Sequence, residues 1–324
     1  MKTLSGFLRR VPVSVLIALA FFVVCALFVP RFAGSGNLGN VARIAAILAI
    51  VSCGQAIVLI LGGIEFSFGS SVALASVVTV MLLPATGPLP AFLAGVAVVV
   101  LVGVLNGALV AGVGLPAVVV TLGTLMIAHG FAASLAGGLP IDAAPSPLFR
   151  WPAVGEVLGI PVAVLIAAVA LFCLWVLLAH MELGRRFYLV GANASAARLS
   201  GIGVRGTVFT GYVLAGLFAG VASVILTSRV GSGQPNLIPD LPFQTIAACA
   251  IGGIPLTGGR GSVIQVIAGV AIIAMLNNAV VLLNYPVAVQ QLLIALVIVV
   301  SVVAQRFAAG IAFDVRILLK GSAR

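Results

Sequence analysis

Nucleophiles, general acids and metal ligands are scarce in this chain, and their spacing fits no catalytic constellation. Its 324 residues hold two histidines, His129 and His180, and six acids: Glu65, Asp142, Glu156, Glu182, Asp240 and Asp314. A zinc-hydrolase helix needs two histidines four apart around a glutamate, and a nucleophile elbow needs G-x-S-x-G; neither pattern occurs. A phosphate-cradling loop needs Lys directly after Gly, but the two lysines, Lys2 and Lys320, follow Met1 and Leu319. Cys25, Cys53, Cys173 and Cys249 sit inside apolar runs with no C-x-x-C, as small packing residues do. We therefore expect no catalytic residue, no cofactor and no metal.

What the residues can build is a membrane domain. Hydrophobic residues make up 63% of the chain and charged ones 7%, against about 25% charged in a soluble domain. The mean hydropathy is +1.35. That excludes a soluble enzyme, a disordered chain and a disulfide scaffold. The net charge of +10 does not point to nucleic acid, because the basic residues stand at the ends of apolar runs. Ten candidate spans follow from those runs: 11–30, 44–62, 69–84, 91–112, 116–136, 159–180, 207–228, 243–257, 263–283 and 287–305. The third and eighth are short. The first is read as an uncleaved span, being too long for the apolar region of a signal peptide. With a cytoplasmic N-terminus, twelve Lys and Arg fall on inside loops and four, Arg31, Arg43, Arg150 and Arg229, outside. This bias places both termini in the cytoplasm.

Two polar segments are longer than a turn. Residues 137–158 face outward in this topology. Residues 181–206 face inward and read as a basic, small-residue segment with a short helix in ASAARLSGI, capped by Asn193 and ended by Gly201. All six acids fall at or beyond span ends, which gives proton or sodium coupling no support. The T-V-G-Y-G filter is absent. The chain is thus expected to be a passive gate, with the drive entering through the inward segment.

Four stretches carry a family resemblance: GGIEFSFGSSVAL at 62–74, NGALVAGVGLPAVVVTLGTLMIAHG at 106–130, GRRFYLVGANASAARLSGI at 184–202 and QTIAACAIGGIPLTGGRGS at 244–262. The chain resembles the membrane permease subunits of bacterial ABC importers for ribose, galactose, arabinose and xylose, with the branched-chain amino acid permeases as a sister group. The resemblance implies an all-α polytopic fold of about ten transmembrane helices, similar to type II ABC importers, over residues 1–324. It implies two permease subunits, identical or paralogous, forming a pore in the bacterial inner membrane. It further implies a cytoplasmic ATPase subunit below and a periplasmic or lipid-anchored sugar-binding protein above. The chain departs from the family pattern at Glu65-Phe66, where Asp-Leu is usual, at His129, where Arg is usual, at Ala192, and at Phe243–Thr245, where acids are frequent.

The resemblance makes 184–202 the segment coupled to the ATPase, with Gly184, Arg185, Arg186, Tyr188, Gly191, Asn193, Ala196, Ala197, Arg198, Ser200 and Gly201 as its candidate residues. The arginines can pair with acids, and the alanines allow close approach; a basic loop on anionic lipid headgroups would account for the arginines alone. Candidate pathway residues are Gln55, Glu65, Ser67, Asn106, Thr121, Thr124, His129, Asn277 and Asn278; the amides and Thr hydroxyls among them offer a neutral polar lining that suits a hydroxylated solute. The competing role for these is hydrogen bonding between helices. Ser67 and Ser70 are expected to cap the third span. The glycine-rich turns 62–70 and 252–262 read first as structural turns and second as broken helix ends on the pathway. Gly211, Ala215, Gly216, Ala219 and Gly220 read as helix packing. The functional expectation is the transmembrane subunit of an importer for a monosaccharide or similar small neutral solute. A branched-chain amino acid permease and an ATP-independent facilitator are the alternatives.

Overall fold

A computed structural model describes residues 12–321 of the chain. Lys2, Arg9, Arg10 and Arg324, which bear on the orientation of the termini, lie outside the described residues. The helices are α1 (Val13–Phe28), α2 (Ser35–Ile60), α3 (Phe68–Thr86), α4 (Pro88–Gly107, extended by a π-helical turn to Val113), α5 (Ala117–Leu135), α6 (Pro147–Val154), α7 (Val162–His180), α8 (Glu182–Ala192), α9 (Ala194–Leu199), α10 (Val204–Val230), α11 (Leu241–Gly252), α12 (Val263–Leu282) and α13 (Val287–Gly321). Among the described residues, eight helices are long and apolar enough to cross a membrane, and α1 and α11 are shorter apolar helices. Of the two spans expected to be short, the third is a full 19-residue helix. The eighth is a 12-residue helix, about 18 Å long at 1.5 Å per residue and too short for a hydrocarbon core of about 30 Å.

The packing centres on α2. Every residue from Ala46 to Ile60 is buried, as expected of a helix that is apolar all round and enclosed on every side. The core around it takes in Leu174 of α7, Tyr212 and Ile225 of α10, Ala248 of α11 and Ile273 of α12. Lipid is as apolar as leucine, so association here depends on close van der Waals fit and small residues. The contacts show this. A Cβ on Gly54 would stand 2.7 Å from the Ala215 carbonyl oxygen, and one on Gly103 would stand 2.7 Å from that of Tyr212. A Cβ on Gly216 would stand 2.9 Å from the Val99 carbonyl oxygen. The small faces of α4 and α10 thus bring two backbones into contact.

The two polar segments lie at opposite ends of α7. At one end, β1 (Ile141–Asp142) pairs antiparallel with β4 (Ser232–Gly233), and β2 (Glu156–Val157) pairs with β3 (Ile160–Pro161). There α6 buries Phe149 in a stack on Phe92, ring centroids 5.3 Å apart, and Arg43 bonds Glu156 at 2.6 Å. At the other end lie α8 and α9.

Candidate functional site

The segment after α7 folds as two short helices set off by one residue. Asn193 is extended, with φ −163° and ψ 101°. Its side-chain oxygen accepts from the Ala196 N–H at 2.9 Å, capping α9. Gly201 follows with φ +82°, a left-handed conformation that costs glycine little. Ala197 is the buried residue of α9, while Arg198 is exposed and Leu199 is 91% exposed. Arg186 pairs with Glu182 one turn away at 2.6 Å, and this pairing holds the Glu182 carboxyl below its ordinary range. Arg185 and Arg198 have no acidic partner among the described residues. The segment therefore presents basic and apolar side chains on a short capped helix.

Beneath α9, the helix α8 is fixed to the rest of the molecule by glycines. Gly184, Phe187 and Val190 form its buried face. A Cβ on Gly184 would overlap the Leu177 carbonyl oxygen, and one on Gly191 would overlap that of Ile60, the last residue of α2. The Gly259 N–H donates to the same Ile60 oxygen at 2.8 Å. A Cβ on Gly258 would stand 2.8 Å from the Gly62 Cα and 3.0 Å from the Gly191 oxygen. The Tyr188 hydroxyl donates to the Gly261 carbonyl oxygen at 2.8 Å. The two glycine-rich turns, 190 residues apart in sequence, thus meet each other and clasp the end of α8.

Five of the nine candidate pathway residues gather where the α2–α3 turn meets α4 and α5. Glu65 accepts at Oε1 from the Ser67 N–H and hydroxyl, both at 2.6 Å, and at Oε2 from Asn106 Nδ2 at 2.8 Å. The Thr121 hydroxyl donates to the Ile64 carbonyl at 3.2 Å, and Thr124 donates to the Thr121 carbonyl. The Tyr212 hydroxyl lies 2.7 Å from where a Gly63 Cβ would stand. Glu65 is 2% exposed. This extends one expectation and corrects another. Glu65 follows a helix end in sequence yet is enclosed by protein, because the turn folds back between helices. Ser67 stands at the start of α3 but its side chain caps nothing there; its hydroxyl serves Glu65, and that of Ser70 makes no cap either.

The other four lie apart. Gln55 is fully buried on α2, with both amide atoms unpartnered. His129 is partly exposed on α5 and makes no hydrogen bond to the Glu65 cluster. Asn277 and Asn278 are adjacent but face different neighbours: Asn278 exchanges amide bonds with Asn37 of α2 at 2.8 and 2.9 Å. Asn277 donates to Gln244 of α11 at 3.0 Å, and Gln244 donates to Asp240 at 2.7 Å. Asp240, Phe243 and Gln244 were not among the candidate residues. The signal that marks them is Pro239-Asp240-Leu241-Pro242, an acid between prolines just ahead of an apolar run too short to span. Among the described residues no three His, Cys, Asp or Glu side chains gather as metal ligands would.

A family model described as "Branched-chain amino acid transport system / permease component" matches residues 37–302. The chain belongs to this permease family. Among curated relatives, the ribose import permease protein RbsC of Escherichia coli K12 is 31% identical over 293 residues, 89% of this chain and 91% of its own. The probable ABC transporter permease protein YphD of the same strain is 35% identical over 93% of this chain and 90% of its own. The L-arabinose transport system permease protein AraH is 31% identical over 88% and 87%. No solved structure matches. In this permease, the four stretches that carry the resemblance are brought together: 62–74 touches 106–130 through Glu65 and Asn106, and touches 184–202 and 244–262 through the glycine contacts. Residues far apart in sequence thus form one continuous connection from the exposed α9 to the buried polar cluster.

Proposed function

We propose that this permease is the inner-membrane subunit of an ATP-driven importer for a monosaccharide or a similar small neutral solute, its whole chain acting as one transmembrane unit. The observation that carries this reading is the match, over most of both chains, to permeases named for ribose and arabinose. A physical argument supports it. The buried polar side chains among the described residues are Ser, Thr, Asn and Gln, with the single acid Glu65. An amino-acid substrate would bring a carboxylate, and among the described residues no cation is buried to meet it.

The drive enters through 184–202. A separate cytoplasmic ATPase subunit takes α9 into a surface groove, with Arg185 and Arg198 meeting acids and Leu199 filling an apolar contact. Closure of the ATPase moves α8. Because α8 is held against Ile60, Gly62 and Gly258, the ends of α2 and α11 move with it. A second permease copy or paralogue completes the pore, a periplasmic or lipid-anchored binding protein delivers solute at the 137–161 end, and both termini are cytoplasmic. This permease hydrolyses nothing itself.

The test is a mild-detergent pull-down of the tagged permease from its native membrane, with co-purifying proteins identified. Recovery of an ATPase subunit is the expected result. Recovery of the permease alone, active in liposomes without ATP, replaces this reading with a facilitator.

A further inference from the structure

Polar, aromatic and open surface coincide at the N-terminal end of α11. Residues 233–240 run inward along α3: Gly233 packs on Ser76 and Val77, and Ile238 and Pro239 pack on Gly69. Gly69 lies seventeen residues before the Thr86 end of α3, about 25 Å away at 1.5 Å per residue, and Asp240 is about 18 Å from the Gly253 end of α11. Asp240, the residue that precedes α11, therefore lies between the ends of these apolar helices, a depth that falls inside the hydrocarbon when they span a bilayer. An ionisable residue at that depth marks a functional site by default. Its carboxylate is linked through Gln244 to Asn277, whose side-chain oxygen is buried and unpartnered. Beside this relay lies a groove of about 360 Å³ lined by Pro239, Asp240, Phe243, Gln291, Ile294 and Ile298. The Phe243 ring is 47% exposed, and its centroid is 5.8 Å from that of Phe66, which adjoins Glu65.

We propose that this groove is a transient binding station for a monosaccharide on its way through the permease; the inference rests on the sugar reading above. A sugar ring offers a hydroxyl edge and a face of C–H groups. Asp240 accepts from hydroxyls in charge-assisted bonds, and the Gln291 amide can both donate and accept. The exposed face of Phe243 carries the negative side of the ring quadrupole, which attracts polarised C–H groups. A lipid chain has no use for the carboxylate, and an inorganic ion has no use for the aromatic wall. The volume falls at the small end of ligand pockets, roughly 300–1,000 Å³, where a monosaccharide belongs. A station on a pathway must bind weakly enough to release, and a groove open on one side meets that need.

The permease is reconstituted in liposomes with its ATPase and binding protein. Uptake of radiolabelled D-ribose and L-arabinose is measured per ATP hydrolysed for wild type, Asp240→Asn, Phe243→Ala and Phe243→Tyr. Sugar moved per ATP falls about tenfold for Asp240→Asn and Phe243→Ala and stays within about twofold for Phe243→Tyr, which keeps the aromatic face. Equal ratios in all four overturn the proposal. So does a fall shared by Phe243→Tyr, or elution of Asp240→Asn as a smaller assembly, since either makes the groove a packing or subunit interface. Leucine uptake in the same vesicles separates the two levels: wild type that moves leucine and neither sugar removes the sugar reading itself.

Discussion

The Tyr188 hydroxyl of α8 donates to the Gly261 carbonyl oxygen at 2.8 Å, joining two stretches of chain 73 residues apart. Half-burial pushes the Tyr188 pKa up from its ordinary value near 10, so the group stays a donor throughout the physiological range. The bond ties the helix beneath α9 to the turn that follows α11. Tyr188→Phe removes the bond and keeps the ring, at a cost of about 1 kcal/mol. The expected outcome is a permease that inserts and assembles normally but moves less solute per ATP. An unchanged ratio would show that the glycine contacts alone transmit the motion.

Those contacts give a sharper test. A methyl group on Gly191 would overlap the Ile60 carbonyl oxygen, so Gly191→Ala forces α8 away from the end of α2. A Cβ on Gly206, at the start of α10, meets nothing within 4 Å. Gly191→Ala is expected to lower uptake per ATP at least about tenfold, while Gly206→Ala transports as wild type. Equal uptake in the two variants would mean that ATPase closure does not pass through the α8–α2 contact.

Much of this architecture was legible in the chain. Apolar runs between charges located the spans, because a bilayer demands about twenty apolar residues per helix. Asn193 and Gly201 marked α9, because cap chemistry is local. The clustering of Glu65, Ser67, Asn106 and Thr121 was not legible, since polar residues on three elements carry no sign of which neighbour each will face. Asn277 and Asn278 make the point at one residue's separation: about 100° of helical turn sends one to α11 and the other to α2. The course of 233–240 along α3 was not legible either, because sequence distance from an apolar run does not say whether the preceding loop stays outside or descends along another helix.

The α9 cap can be tested by itself. The Asn193 side chain satisfies the Ala196 N–H, and its loss from a six-residue helix costs about 1 kcal/mol. Asn193→Ala is expected to speed amide exchange across 194–199 roughly fivefold in the isolated permease. Addition of the ATPase subunit should restore protection if the groove holds the helix. Exchange that stays fast in the assembled complex would mean that α9 is not the docked element.

Glu65 has three donors pointed at it and no cation paired with it among the described residues. Glu65→Ala strips acceptors from the Ser67 N–H and hydroxyl, both buried, at about 1–3 kcal/mol for each left unsatisfied, and leaves Asn106 Nδ2 with Ser67 Oγ at 3.1 Å as its remaining acceptor. Glu65→Gln keeps one acceptor for Ser67 and turns an N–H toward Asn106. The Asn106 side-chain oxygen is buried and unpartnered, so a flip of that amide converts a clash of donors into a bond. Thermal unfolding in detergent should therefore rank wild type and Glu65→Gln close together and Glu65→Ala well below. Asn106→Ala in the Glu65→Ala background should cost less than it does alone, because the partner is already gone. Additive losses would mean that the two side chains act independently, and a Glu65→Gln variant as unstable as Glu65→Ala would mean that the negative charge, rather than the acceptor geometry, holds the α2–α3 turn in place.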